Sequence, residues 1–404
     1  MTTPAGPGAR RLAGTSIELF TGGGGLALAL EQAGFEHLLA VELDRRACAT
    51  LRSGGWPLAE GDIRAVDFSS LAGIVDVVAG GVPCQPWSLG GAHRGYEDPR
   101  NLWPELIRCV RQTRPRAVLA ENVKGLLRPS FRAYYDYLLR QLALPFEERL
   151  PGEDWRDHDR RLIKANAAPG ADAAGRYDVK HRLVNAADYG VPQIRDRVFV
   201  VAFRRDLGVA SWRFPVPTHS GAALLRDQAS GAYWRRHGMA PRPVVPGAAH
   251  GAAPGTLPWL TIRDAIGDLP EPLEPLAAKL PHPAWPDHVG WPGAREYPGH
   301  TPNDLDRPAK TVKAGVHGVP GGEAVLRRDD GSLRYLTVRE VARIMTFPDD
   351  WRLAGPRGEQ MRQLGNAVPV RLGQVMASAV ATALVPSAVI TPGRSLTASG
   401  IGYE

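Results

Sequence analysis

Cysteine is scarce in this chain: there are three in 404 residues, at Cys48, Cys84 and Cys109. They are too few and too scattered for a disulfide framework or a Cys-x-x-Cys metal site, so no metal is expected and a reducing cytoplasm is the expected location. Long hydrophobic runs are also missing. No stretch of about 18 apolar residues reads as a helical membrane span. Arg10 and Arg11 near the start are not followed by the apolar stretch of a secretory signal. Lysine is rare as well, only six of the 49 basic residues. Codon bias in a GC-rich genome explains the arginine excess, and bidentate recognition of a polyanion by guanidinium groups is the competing explanation. The net charge of +7 and the pI near 9.5 suit a polyanionic partner.

What is present is enough for a core. Hydrophobic residues make up 44% of the chain, which excludes a largely disordered protein, and the length implies two domains. Up to about residue 203, short apolar runs at 17–20, 38–42, 75–79, 117–121 and 198–203 alternate with amphipathic stretches. This predicts buried parallel strands with crossover helices, a doubly wound, Rossmann-like α/β sheet. A polar, Ala/Gly/Pro-rich insert at about 145–175 reads as irregular surface elaboration. From 206 to about 306 the chain is crowded with Pro, Gly, Trp, His and Arg without strong periodicity, which predicts a second, irregular domain. Helices return at 337–345 and 370–384, and the tail beyond Ser387 reads as frayed. The resulting division is a catalytic, cofactor-binding domain at 1–204, completed by 356–404, with 205–355 as the second, smaller domain.

The first strand ends in Glu18-Leu19-Phe20 and runs into Thr21-Gly22-Gly23-Gly24-Gly25, then a helical stretch. Glycines at such a turn let backbone N–H groups approach a ligand without a Cβ in the way. The second strand ends in Glu42, suited to two ribose hydroxyls, and Asp62 follows the third, suited to an adenine amino group or to capping a helix. These features point to a nucleoside-bearing cofactor and leave NAD and S-adenosylmethionine open.

The next strand delivers Gly80-Gly81-Val82-Pro83-Cys84-Gln85-Pro86 to its carboxyl end. A thiol flanked by prolines and followed by polar residues is not built like a core residue, whereas Cys48 and Cys109, on helical stretches, read as inert. The strand after it ends in Glu121-Asn122-Val123, where an acid beside apolar neighbours can carry a raised pKa; capping the next helix is the alternative. Gln193-Ile194-Arg195-Asp196-Arg197 enters the strand at 198–203, and alternation would place Gln193, Arg195 and Arg197 on one face. An edge-strand salt-bridge ladder is the competing explanation.

Pro-Cys-Gln at Cys84, Glu-Asn-Val at Glu121 and Gln-x-Arg-x-Arg at Gln193, in that order, resemble the cytosine-5 DNA methyltransferase family, of the bacterial restriction-modification or orphan type. So do the glycine turn and Gly365-Asn366-Ala367-Val368-Pro369 near the end. The resemblance covers Thr15 to about Leu384, apart from 145–175 and 206–306. The family more often has Asp and Ala or Ser where this chain has Glu18 and Thr21, and Gly-Asn-Ser-Val where this chain has Gly-Asn-Ala-Val. It implies a nucleophile at Cys84 that adds to carbon 6 of a cytosine rotated out of the duplex, with Glu121 on ring nitrogen 3 and the exocyclic amine. Arg197, supported by Arg195, would hold the base's carbonyl oxygen, with Asn122 and Gln193 completing the pocket.

S-adenosylmethionine becomes the implied cofactor. The resemblance places it against Glu18, Phe20, Thr21, Gly22, Gly24, Gly25, Glu42, Leu43, Asp62, Ile63, Gly81, Pro83, Leu102, Asn366, Ala367 and Val368. The stretch 88–100 resembles the family's mobile loop, so Gln85, Ser88, Arg94 and Arg100 would meet double-stranded DNA. The irregular second domain falls where the family reads its target, although its tryptophans also suit small cores. A monomer is expected, with a cognate restriction endonuclease as a possible partner at the same site. The competing readings are a tRNA cytosine-5 methyltransferase of the same architecture, an NAD-dependent oxidoreductase, and a DNA-binding regulator that lost activity.

Overall fold

A computed structural model describes residues 13–83, 101–167, 172–243, 255–272, 285–296, 301–314 and 324–385. Its centre is a seven-stranded sheet: β1 (Gly14–Leu19), β2 (Phe35–Glu42), β3 (Leu58–Glu60), β4 (Val77–Gly81), β5 (Ala117–Val123), β6 (Tyr177–Asn185) and β7 (Asp196–Arg204). The spatial order is β3-β2-β1-β4-β5-β7-β6. The first five strands pair in parallel through helical crossovers, among them α1 (Gly25–Gln32) and α2 (Arg45–Ser53). Order therefore reverses between β1 and β4, and the carboxyl ends of those strands flank the crevice where such sheets bind ligands.

One strand departs from the parallel expectation. β7 runs antiparallel to both of its neighbours, β5 and β6. The ten residues between β6 and β7 hold only a 3-10 turn, Ala186–Tyr189, and a parallel crossover needs about a dozen residues or more. The chain therefore doubles back.

Both faces of the sheet are covered. On one, α1 (Gly25–Gln32) and α11 (Val370–Leu384) pack over alternate strand residues such as Val77, Ala79, Leu119 and Phe199. On the other, α3 (Trp103–Thr113) and α4 (Arg132–Ala143) cover Ile17, Val78, Val118 and Val200. α11 seats on α1, where a Cβ at Gly373 would lie 2.7 Å from the Ala29 methyl. The helical stretch Arg357–Leu384 has the length and mean hydropathy of a membrane span. It is broken at Ala367-Val368-Pro369 into α10 (Arg357–Asn366) and α11. Leu372, Met376, Val380 and Leu384 of α11 are buried inside the molecule.

The described part of 145–175 is more ordered than its composition suggested. It carries α5 (Trp155–Ala167), whose Trp155 packs edge-on against Tyr134 at 5.3 Å and whose His158 bonds the Tyr137 hydroxyl at 2.9 Å. The core on that face thus extends over the insert.

Among the described residues, region 205–355 adds α6 (Gly221–Ala229), α7 (Ala232–Arg236), α8 (Ile262–Ile266) and two small sheets, Asn303–Asp304 with Val325–Arg327 and Leu333–Tyr335, and His219–Ser220 with Leu257–Pro258. α9 (Val338–Ile344) opens on a capping box: Thr337 Oγ1 accepts the Glu340 N–H at 3.1 Å and Glu340 Oε2 accepts the Thr337 N–H at 2.8 Å. Its Val341 and Ile344, with Phe214, Ile262 and Val325, join the same apolar cluster as the sheet face. Most tryptophans expected to choose between groove and core went to packing. Trp212 lies against Phe203 and Phe214 at 5.3 and 4.8 Å, and Trp234 is buried beside Tyr233. Trp291 stays 44% exposed, with the Arg357 guanidinium over its ring.

Candidate active site

The glycine turn is built from β1, β2 and a hydroxyl. Thr21 Oγ1 donates to the Glu18 and Val41 carbonyls at 3.1 and 3.3 Å, tying the turn to both strands. Phe20 adopts φ +59°, Gly22 +58° and Gly24 +87°. Phe20 is the strained one, since a left-handed aromatic residue costs free energy that a functional turn can store. Gly24 caps α1 without a side-chain acceptor, and the Ala27 N–H of the first turn donates to the Glu18 carboxylate. Glu42 is fixed by three backbone donors: Gly22 N–H at 2.7 Å on Oε2, and Leu43 and Asp44 N–H at 2.9 and 2.8 Å on Oε1. A carboxylate offers about four lone-pair sites, so capacity remains for a ligand hydroxyl.

The turn opens on a cleft of about 780 Å³. Every position expected at the cofactor lines it except Gly24. Gly24 faces away: a Cβ there would lie 2.9 Å from a ring carbon of Trp351, so this glycine serves packing behind the turn. Gly25 allows a different close approach, with a Cβ landing 2.3 Å from the Val368 carbonyl oxygen. Ala367 and Val368 thus press directly onto the turn. Asp62 caps the 3-10 turn Ile63–Ala65 by accepting the Arg64 N–H at 3.0 Å and pairs with its guanidinium at 2.9 Å, while still lining the cleft. Both the capping and the ligand-facing readings of Asp62 therefore fit its position.

Glu18 lies at the base of the cleft, 2% exposed, and its Oε2 has no partner among the described residues. Burial, with the nearby Glu42 carboxylate, holds its pKa well above the usual value. A buried carboxylate oxygen left open at a cleft suits a donor or cation brought by a ligand.

Glu121 sits across the cleft, at the carboxyl end of β5. The antiparallel pairing of β5 with β7 sets Val123 opposite Arg197, and Arg197 Nε meets Glu121 Oε1 at 2.7 Å. Burial raises the Glu121 pKa, and Arg197 and Arg195 oppose that rise. Asn122 Nδ2 donates to the Val82 carbonyl at 3.0 Å, and the Val82 N–H donates to the Glu121 carbonyl at 3.2 Å. These two bonds fasten the end of β4, and Pro83, to the strand that carries the acid. Cys84, Gln85, Ser88, Arg94 and Arg100 lie outside the described residues; Pro83 and Leu102, on either side of that segment, both line the cleft.

Gln193 and Arg195 are placed differently from Arg197. Both are fully buried and neither lines the cleft. The expected one-sided strand fails because β7 begins only at Asp196, while Gln193 bridges to Ala309 of the returning chain. Arg195 donates to the carbonyls of Val312 at 2.7 Å, Gly365 at 2.7 Å and Ala367 at 3.1 Å, and to Gln193 Oε1 at 3.3 Å. Gln193 Oε1 also accepts the Val312 N–H at 3.0 Å. The pair binds the 309–312 and 365–367 segments to the end of the sheet, so it supports the cleft wall from below.

The other two cysteines are inert by position. Cys48 and Cys109 are both buried, and burial pushes the Cys48 thiol up to about 11 and Cys109 higher still. Sequence reasoning missed the rim formed by Asp44 and Arg362, paired at 2.7 Å across the cleft mouth. The Asp44 N-cap before an arginine-led helix was a legible signal. α10, which supplies Arg362 and Gln363, has a polar sequence with no apolar stripe to betray it.

With this geometry in place, a model of the C-5 cytosine-specific DNA methylase family matches residues 14–144, 156–269 and 297–382. The chain belongs to that family. The match takes in most of 145–175 and much of 206–306, which the motif resemblance had left out. This methylase is 31% identical over 377 residues to the Type II methyltransferase M.NgoMIV of Neisseria gonorrhoeae, across 92% of this chain and 98% of that one. It is 31% identical over 381 residues to the Type II methyltransferase M.PspPI of Psychrobacter sp., across 90% and 78% of the two chains. Solved structures share the fold. A putative prophage-encoded DNA modification methyltransferase from E. coli has a TM-score of 0.56 at 20% identity, over 92% of this chain and 99% of that one. The S. pombe Dnmt2 methyltransferase has 0.54 at 16%, over 92% and 98%. The chain is a DNA cytosine-5 methyltransferase, and DNA is its substrate.

Proposed function

We propose that the enzyme transfers the methyl group of S-adenosylmethionine to carbon 5 of a specific cytosine in double-stranded DNA, through base flipping and a covalent Cys84 adduct. The observation that carries this reading is Glu121, buried and paired with Arg197, beside Pro83 in the same cleft as the glycine turn.

The residues present suit the cofactor. Glu42 would hold the ribose hydroxyls, Asp62 with Ile63 the adenine, and Phe20, Gly22, Gly25, Leu43, Gly81, Leu102 and Asn366–Val368 the remaining walls. The open Glu18 Oε2 supplies a buried polar group without a partner among the described residues at the base of the cleft. When bound, S-adenosylmethionine supplies an electrophilic methyl group on a sulfonium.

The chain's own groups do the rest. Cytosine carbon 5 is a poor nucleophile within an intact ring. Rotation of the base out of the stack costs a few kcal/mol of unpairing and unstacking. The Cys84 thiolate adds to carbon 6, which breaks the 5,6 double bond and makes carbon 5 nucleophilic. Glu121, with its pKa raised by burial, shares a proton with ring nitrogen 3 and accepts from the exocyclic amine, so that negative charge does not build up on the ring. Arg197 orients Glu121 and binds the base's carbonyl oxygen, while its charge favours the thiolate. After methylation, loss of the carbon-5 proton expels Cys84 and restores the ring. Asn122 holds the Pro83 backbone in register. Gln193 and Arg195 act as supports for the wall rather than as groups that touch the base.

Gln85, Ser88, Arg94 and Arg100 would contact the DNA, and region 205–355 would read the sequence around the target cytosine. Relatives named Type II methyltransferases suggest a restriction-modification role, with a cognate endonuclease acting on the same site. A monomer acting on DNA in the cytoplasm completes the reading. Bisulfite sequencing of DNA from cells expressing the chain tests it. Protected cytosines in one sequence context are expected from wild type and none from Cys84→Ser. Equal protection from both would remove Cys84 from the mechanism.

A further inference from the structure

Gly22, Gly23, Gly24 and Gly25 form the most conformationally free tetrapeptide the genetic code allows, and a ligand that had to order it would lose affinity in doing so. The turn is instead held before any ligand arrives. The Gly22 N–H donates to Glu42 and the Gly24 N–H donates to the Thr21 carbonyl at 3.1 Å. The Gly23 carbonyl is held from behind, by the indole Nε1–H of Trp351 at 3.1 Å. The indole also closes the rear of the turn, because a Cβ on Gly24 would strike its ring at 2.9 Å. Trp351 is itself fixed. Its ring stacks on Trp56 at 5.4 Å, and its carbonyl accepts from Arg339 Nη2 at 3.1 Å. Arg339 is 1% exposed and also donates to the Pro348 and Pro286 carbonyls at 3.2 and 3.0 Å. A fully buried guanidinium that satisfies three backbone carbonyls in two separate segments is a clamp, and what it holds is the residue behind the cofactor turn.

We propose that Trp351 is a positioning residue for the cofactor: its indole N–H fixes the Gly23 carbonyl and pre-orders the glycine turn that receives S-adenosylmethionine. The inference rests on the cofactor reading above. Trp351 sits behind the turn and does not line the cleft, so the role predicts a change in cofactor affinity without a change in the chemical step.

The full-length chain is titrated calorimetrically with S-adenosylhomocysteine as wild type, Trp351→Phe and Trp56→Phe, with unliganded melting temperatures and steady-state kinetics alongside. Phenylalanine keeps a ring in the slot but cannot donate. Trp351→Phe is expected to bind about three- to tenfold more weakly, the loss of one hydrogen bond. Its KM for S-adenosylmethionine should rise with kcat at saturation unchanged, and its unliganded melting point should stay close to wild type. Trp56→Phe trims the same aromatic stack without touching that bond and is expected to bind as wild type does. Wild-type affinity in Trp351→Phe overturns the proposal. An equal loss in both variants overturns it too, because packing and not the N–H would then set the turn. Should Trp351→Phe fail to fold, Arg339→Lys carries the test: it leaves the indole intact but loosens its backbone, and unchanged affinity there is likewise refuting. If the wild-type chain itself binds no S-adenosylhomocysteine, the cofactor reading fails and this inference with it.

Discussion

Gly25→Ala tests whether the glycine turn and the Asn366–Val368 loop form one rigid wall. The added Cβ would sit 2.3 Å from the Val368 carbonyl oxygen, 3.3 Å from the Ala367 Cβ and 3.3 Å from Phe347 Cζ, whereas such contacts below 3.0 Å essentially never occur. One side must therefore move by about 0.7 Å or more. The loop resists, because Arg195 binds the Gly365 and Ala367 carbonyls from below at 2.7 and 3.1 Å. The turn resists as well, through Thr21, Glu42 and Trp351. Overpacking of this kind costs about 1–3 kcal/mol of stability. A binding site displaced by about 1 Å can lose about two orders of magnitude in function. We expect the melting temperature to fall by several degrees and the affinity for S-adenosylhomocysteine to fall about tenfold or more by calorimetry, in line with those costs. Gly81→Ala serves as the contrast in melting temperature alone, since its Cβ would meet Glu121 Oε2 at an ordinary 3.5 Å. Wild-type melting and wild-type affinity in Gly25→Ala would show that the loop does not bear on the turn.

Glu18→Gln should stabilise the unliganded enzyme at neutral pH, because burial raises the Glu18 pKa and folding then favours the protonated form. That contribution is fully present below the ordinary carboxyl pKa of 4.5 and is lost as pH rises through the raised value, so the melting advantage of the variant should open with pH and vanish below about 4.5. A constant difference across that range would contradict the assignment. Glu121→Gln should lower kcat by about 10²–10⁴-fold, the span of general acid–base contributions, with cofactor affinity nearly unchanged; wild-type turnover would remove Glu121 from the chemistry. Arg195→Lys should weaken cofactor binding and lower the melting temperature together, since one ammonium cannot satisfy carbonyls on both the 312 and 365–367 segments. A loss of kcat alone would instead place Arg195 at the base.

The parts of the fold that were legible in the sequence are those whose physics is local. β4 and the first half of β5 are short apolar runs because parallel strands are buried on both faces, and β1, β4 and β5 each end in residues that no core would choose: Glu18 and the glycines, Pro83, Glu121. The direction of β7 was not legible from its apolar pattern, which is the same either way along the chain. Only the short link from β6 carries that information. Arg195 and Arg197 look equivalent by alternation, yet one lies under the returning 309–312 segment and the other faces the cleft. The difference is set by a contact more than a hundred residues away. α5 and α10 went unread because they expose polar faces within segments rich in Arg and Ala. The tryptophans of region 205–355 read equally well as groove contacts and as core, and packing decided most of them. Trp351 carried no signal at all, since its role depends on a carbonyl 328 residues earlier in the chain.

The central claim is a covalent bond between Cys84 and carbon 6 of cytosine, and a DNA duplex amplified with 5-fluorocytosine tests it most directly. Fluorine at carbon 5 cannot leave as the proton does, so the adduct should accumulate after methyl transfer. A denaturant-resistant protein–DNA complex that requires S-adenosylmethionine, and whose cross-linked peptide maps to Cys84, is the predicted result. No complex, or one mapping to buried Cys48 or Cys109, would contradict the account.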